Sequence, residues 1–160
     1  MNSKINKTVI VLDPRGVITS GGIDVLNRHE IYGSLLNKFN NNVRLIIISS
    51  GQSPSITTAK NLGLEIFSIS NPTFNFYRFA YKSEKLISSM NWDIKLIIVG
   101  DCWESYWSAY FLNKFLNKKI PIQIQVHGDI ADPRWRRINL RNRIRYSFAK
   151  LSLPKASSVR

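Results

Sequence analysis

Three stretches of the 160-residue chain carry residue types that can bind sugars or phosphates. The first runs Asp13-Pro14-Arg15-Gly16-Val17-Ile18-Thr19-Ser20-Gly21-Gly22-Ile23-Asp24. A paired glycine lets a phosphate or sugar approach the backbone, and a helix beginning there offers free N–H groups and a positive dipole end. A tight turn needing glycine's conformational freedom accounts for Gly21-Gly22 equally well. The stretch is neither a dinucleotide fingerprint nor a P-loop, since no Gly-Lys-Ser/Thr follows. The second stretch, Asp101-Cys102-Trp103-Glu104, offers two carboxylates that can accept from sugar hydroxyls, and an indole that can pack on a pyranose. The competing reading makes Asp101 a helix cap and Trp103, Tyr106, Trp107 and Tyr110 packing residues, and it is preferred for the aromatics. The third is His127-Gly128-Asp129. A histidine there can donate to a hydroxyl or phosphate and exchange protons near neutral pH. His29 falls on the apolar face of a helix and is assigned to packing. Two histidines and one cysteine, far apart, make no metal site.

Charge adds a fourth feature. The chain has 23 Lys+Arg against 10 Asp+Glu, a net charge of +13. From Ile130 to Arg160 there are nine basic residues and one acid. Within this tail Leu140, Ile144, Phe148 and Leu151 recur at helical spacing, with Arg137, Arg141 and Arg145 on one flank and Arg136, Arg143 and Lys150 on another. Such a cationic amphipathic helix either docks on a sheet with a solvated basic face, or lies against anionic headgroups or a phosphorylated acceptor. Arg136, Arg137, Arg141, Arg143 and Arg145 are the candidate contacts to an anionic membrane or acceptor.

These residues need a frame, and the apolar pattern supplies one. At 44% hydrophobic the chain can bury a core. Short β-branched runs at 7–13, 43–49, 64–69, 94–99 and 121–126 read as strands. Helical stretches at 23–39, 55–62, 74–90, 102–117 and 138–153 alternate with them, and 13–22 reads as a loop. The alternation predicts βαβ units, a parallel Rossmann-like sheet and helices on both faces. The final residues resemble the opening of a sixth strand. In such sheets ligands bind beyond the carboxyl ends of the strands, where all three stretches fall. One cysteine excludes an internal disulfide framework and fits a reducing cytoplasm. No signal peptide is evident, and no run reaches the roughly 18 apolar residues of a spanning helix. The expected location is cytoplasmic, with peripheral attachment at the inner face of the cell membrane.

The stretch Ile122-Gln123-Ile124-Gln125-Val126-His127-Gly128-Asp129, the basic helix after it and Lys155-Ala156-Ser157-Ser158-Val159-Arg160 together resemble family 4 glycosyltransferases of the GT-B fold. In that family a strand ends in His-Gly or His-Asp, a helix follows, and a small-residue turn leads to a strand reading roughly Ala-Asp-x-Val. Ser157 stands here where the acid often is. The pair Gly21-Gly22 opening the first long helix matches as well, so the likeness runs from about Thr8 to Arg160. It implies that residues 1–160 form the N-terminal, acceptor-side domain of a retaining enzyme, ending at the start of its sixth strand before the C-terminal donor domain. The donor would be a nucleotide sugar and the acceptor a glycan or lipid-linked molecule, as in polysaccharide biosynthesis, with no metal or other cofactor. Gly21 and Gly22 would approach the donor diphosphate, and His127 would contact the transferred sugar as the catalytic candidate. Arg15, Asp101, Glu104 and Asp129 are the candidate acceptor contacts. These residues alone are expected to show little or no transfer.

Besides a purely structural partner that activates another transferase, which co-purification would distinguish, two other classes fit the composition. One is a stand-alone basic α/β module binding nucleotide, against which stands the missing dinucleotide fingerprint. The other is a nucleic-acid-binding protein, whose affinity would fall steeply with salt. Its arginines sit in one terminal helix on an enzyme-like frame, so no nucleic-acid partner is expected.

Overall fold

The computed structural model describes residues 7–20, 23–39, 43–51, 56–59, 64–71, 75–126, 130 and 132–160. Seven strands form one sheet: β1 (Lys7–Asp13), β2 (Val43–Gly51), β3 (Ile56–Ala59), β4 (Leu64–Ser70), β5 (Asp93–Val99), β6 (Ile122–Ile124) and β7 (Ser158–Val159). Their spatial order is β3-β4-β2-β1-β5-β6-β7. Every neighbouring pair is parallel except β3–β4, so six strands form the parallel sheet that the alternating pattern predicts. The chain builds outward from β1 to β2 and β4, then returns to place β5 on the other side of β1. The switch point therefore lies between β1 and β5.

Six α-helices are assigned among the described residues: α1 (Val17–Ser20), α2 (Ile23–Phe39), α3 (Phe76–Met90), α4 (Glu104–Phe115), α5 (Pro133–Arg137) and α6 (Leu140–Ser152). Each strand of the centre alternates its side chains between two layers. Ile10, Leu12, Ile46, Ile48, Ile97 and Val99 point to one layer, where α3 and α4 contribute Phe79, Ile87, Tyr106 and Leu112. Val9, Val11, Leu45, Ile47, Leu64 and Ile66 point to the other, packed by Ile18 of α1 and Leu36 of α2. The Val43–Gly51 run is apolar on both faces because both faces are covered. Among the described residues no helix is long and apolar enough to cross a membrane.

Three elements differ from the sequence reading. The helix expected over 55–62 is not formed at Ile56–Ala59, which instead pairs antiparallel with β4 from Ile56↔Phe67 to Ala59↔Leu64. The Ser53-Pro54 pair reads as a helix start, but Ile-Thr-Thr is a β-branched run with an open sheet edge beside it. The loop expected over 13–22 contains the single turn α1. Gly16 takes a φ of 69° before it, a conformation that favours glycine. The basic loop before the last helix contains α5, with Asp132 as N-cap accepting from the Arg134 N–H and Pro133 in the first turn.

The last helix also sits differently from a docked amphipathic helix. Leu140, Ile144, Phe148 and Leu151 are exposed. The face held against the domain carries the buried Asn142, Ala149 and Ser152, flanked by the partly buried Tyr146 and by Arg145. The Asn142 amide donates to the Trp135 carbonyl at 2.9 Å, and the Ser152 hydroxyl donates to the Cys102 carbonyl.

Candidate functional site

At the carboxyl ends of β1 and β5 a cleft of about 260 Å³ opens at the switch point. Its walls include Asp13, Arg15, Arg28, His29, Tyr32 and Asp101. Asp13 ends β1 and is buried. Its carboxylate accepts from the backbone N–H of Val17 at 3.0 Å and of Ile18 at 2.7 Å, and from the Ser49 hydroxyl at 2.9 Å. It thereby ties α1 to the ends of β1 and β2.

Asp101 does the same work across the switch point. Its Oδ1 accepts from the N–H of Trp103 at 3.0 Å and of Ser105 at 2.9 Å, and its Oδ2 from the Ser105 hydroxyl at 2.6 Å. The N-cap position of α4 is Trp103, and Asp101, two residues before it, satisfies N–H groups at the helix start from outside the cap, where an acid also complements the helix dipole. Arg15 closes on the same carboxylate, Nη2 to Oδ2 at 3.0 Å, joining the loops after β1 and β5. Burial raises the Asp101 pKa above the ordinary 3.8, and neighbouring Glu104 adds to the rise; the Ser105 bonds and the Arg15 charge oppose it. Arg15 remains 33% exposed at the side chain and lines the cleft.

Cys102 next to it is fully buried, and its thiol is pushed up to about 12, first by desolvation and then by Asp101. It is a packing residue, because only a thiolate is nucleophilic. Trp103 and Tyr106 are buried and Trp103 stacks on Trp135 at 5.8 Å, so these aromatics pack, as expected.

Glu104 belongs to a different environment from its neighbour Asp101. It lines a second cavity, of about 310 Å³, with Phe76, Trp107, Leu140, Ile144 and Phe148. Its carboxylate receives Nη2 of Arg145 at 3.1 Å and 3.4 Å. Arg145 in turn lies 5.1 Å from the Trp103 ring centroid. The structure thus separates the two acids that sequence proximity grouped together. Arg136 is likewise engaged, 4.3 Å from the Tyr146 ring centroid, whereas Arg137, Arg141 and Arg143 are exposed.

Gly21, Gly22, His127 and Asp129 lie outside the described residues. Their flanks are informative. Asp13 and Arg15, which precede the glycine pair, line the cleft, and so does Gln125, two positions before His127. Gln125 continues the β6 ladder by donating its N–H to the Val99 carbonyl at 2.8 Å.

Arg28, His29 and Tyr32 are cleft residues that sequence reasoning passed over, and Asp13, which opens the first candidate stretch, was given no role of its own. An acid at the last position of an apolar strand, just before Pro-Arg-Gly, was the available signal for Asp13. His29 sits one helical turn from Tyr32, with ring centroids 6.0 Å apart, and both line the cleft. Its place on the apolar face of α2 concealed this. Among the described residues no group of His, Cys, Asp and Glu is arranged to hold a metal. Comparison with protein-family models and with curated proteins finds no match to this chain.

Proposed function

We propose that this domain is the acceptor-side half of a retaining, GT-B-type glycosyltransferase, acting with a donor-binding domain to move a sugar from a nucleotide sugar to a glycan or lipid-linked acceptor. The observation that carries the reading is the switch-point cleft, where the loops after β1 and β5 are locked together by the Arg15–Asp101 ion pair. A parallel sheet places its ligands there. The cleft's walls combine cationic and hydroxyl donors, Arg15, Arg28 and Tyr32, with carboxylates already engaged by N–H groups at helix starts. Such walls suit hydroxyl- and phosphate-bearing ligands.

Departure of a nucleoside diphosphate creates negative charge, which fixed N–H groups and cations stabilise best when they need no rearrangement. Arg15 is held in place by a buried partner and meets that condition. Gly21 and Gly22 are assigned to backbone approach at the diphosphate and His127 to the transferred sugar, on the strength of the family resemblance.

The test is sugar transfer from a panel of nucleotide sugars, measured for these 160 residues alone and for the same residues supplied with a donor-binding domain. Transfer by the paired form alone, lowered at least about a hundredfold in His127→Ala and about tenfold in Arg15→Ala with the fold intact, supports the reading. Turnover by the isolated domain, or full activity in both variants, refutes it.

A further inference from the structure

The outer surface of α6 is built the wrong way round for a helix that serves only its own domain. Its fully buried positions are small or polar, Asn142, Ala149 and Ser152, with Tyr146 packed partly buried beside them, while Leu140, Ile144, Phe148 and Leu151 turn outward. Leu140 is 69% exposed, Ile144 50%, Phe148 37% and Leu151 55%. A self-contained domain gains more by the opposite arrangement, since burying such a side chain stabilises by about 1.5–3 kcal/mol.

The apolar stripe is not isolated. From Phe148 a chain of ring contacts runs to Trp107 at 6.1 Å, to Phe111 at 6.4 Å and to the exposed Tyr77 of α3 at 5.1 Å. The stripe on α6 therefore continues as an aromatic surface across α4 to α3.

The flanks identify what covers it. Around the axis of α6, Arg141 borders the stripe on one side, and Arg143 and Lys150 border it on the other; all three are exposed. Arg143 also lines a shallow cavity of about 380 Å³ with Arg136, Arg137, Pro133, Tyr146 and Ser147, and no acid is among its lining residues. Glu104, the acid nearest the stripe, is neutralised by Arg145. Long basic side chains beside an apolar stripe can reach up to headgroups while the stripe enters the acyl boundary.

We propose that the α6 face is a docking surface for an anionic lipid bilayer. Leu140, Ile144, Phe148 and Leu151 enter the interface, and Arg141, Arg143 and Arg137 contact headgroup phosphates. The aromatic surface through Trp107 and Tyr77 lies at headgroup level, where amphipathic rings are favoured. The proposal does not rest on the transferase reading, because vesicle binding and sugar transfer are measured separately.

The experiment is co-sedimentation of the protein with vesicles of phosphatidylcholine alone and of phosphatidylcholine mixed with phosphatidylglycerol. Binding is expected to the mixed vesicles, with a blue shift of tryptophan emission. Arg141→Gln and Arg143→Gln should each weaken it about fivefold. The double variant Ile144→Ser/Phe148→Ser should weaken it about tenfold or more. Circular dichroism confirms folding; should the double variant misfold, Leu140→Ser and Leu151→Ser probe the same stripe at its most exposed positions. Absence of binding to the anionic vesicles overturns the proposal. So does wild-type binding in the folded stripe variants, which would reduce the contact to charge alone. A stripe substitution that changes oligomeric state while vesicles are ignored overturns it too, in favour of a protein partner.

Discussion

At the scale of single residues, neighbouring Asp101 and Cys102 show how burial sets chemistry. Both are pushed toward their neutral forms by desolvation, yet Asp101 is bound by N–H donors and a guanidinium while Cys102 is packed in the core. With its pKa at about 12, the Cys102 thiol should resist an alkylating reagent at mildly alkaline pH in the native protein. It should react readily once denaturant restores an ordinary thiol pKa of roughly 8.5. Time-resolved labelling with and without denaturant checks this, and rapid native labelling would contradict the burial. Asp101 gives a pH signature. Because its folded pKa is raised above 3.8, the folded chain holds the proton more tightly than the unfolded chain. The stability it contributes is fully present below 3.8 and is lost as pH rises through the folded value. Asp101→Asn removes that dependence. Its stability relative to wild type should therefore improve as pH climbs from below 3.8 to neutrality, which urea denaturation at a series of pH values reads directly. A difference constant with pH would mean that Asp101 titrates alike in both states.

At the scale of elements, α6 supplies the sharpest contrast between outward and inward positions. Ala149 is buried, so a larger side chain there has no space, and Ala149→Leu should destabilise by about 1–3 kcal/mol. Ile144→Ser on the exposed stripe should change stability by no more than about 0.5 kcal/mol, although it removes more apolar surface. Chemical denaturation of the two variants measures the pair. The reverse ranking would place the stripe in the core. The same helix shows what a sequence can and cannot reveal. Its helical period was legible from Leu140, Ile144, Phe148 and Leu151, but period alone does not say which face turns inward. That depended on Asn142 and Ser152 finding carbonyls on Trp135 and Cys102. The parallel strands were legible because their apolar runs are long and their breakers clear. The β3 strand was not, since four residues carry little periodic signal and their pairing is set by the free edge of β4. The Asp132-Pro133 pair was a readable start for α5, obscured by the run of arginines after it. In the site, the strand ends were legible as positions, while the Arg15–Asp101 pair, 86 residues apart in sequence, is a product of the crossover between β1 and β5.

At the scale of the whole molecule, charge and topology act on different properties. The sheet brings its ligand-facing ends to one cleft, and the long-range pairing there rests on a few buried acids. The rest of the surface is dominated by cations, with a net charge of +13 on 160 residues. An excess of that size repels itself in the compact state more than in the expanded one, so it lowers stability without altering the fold. Added salt shortens the Debye length from about 30 Å at 0.01 M to about 8 Å at 0.15 M, which screens repulsion between exposed cations. Partly buried pairs such as Arg15–Asp101 and Arg145–Glu104 are screened far less. The melting temperature should therefore rise between low and physiological ionic strength, by about 2–4 °C for each kcal/mol of repulsion relieved in a domain of this size. Differential scanning calorimetry at a series of sodium chloride concentrations makes the measurement. A fall in melting temperature would show that attractive ion pairs outweigh the repulsion, and that the basic surface is more evenly compensated in the folded chain than its composition implies.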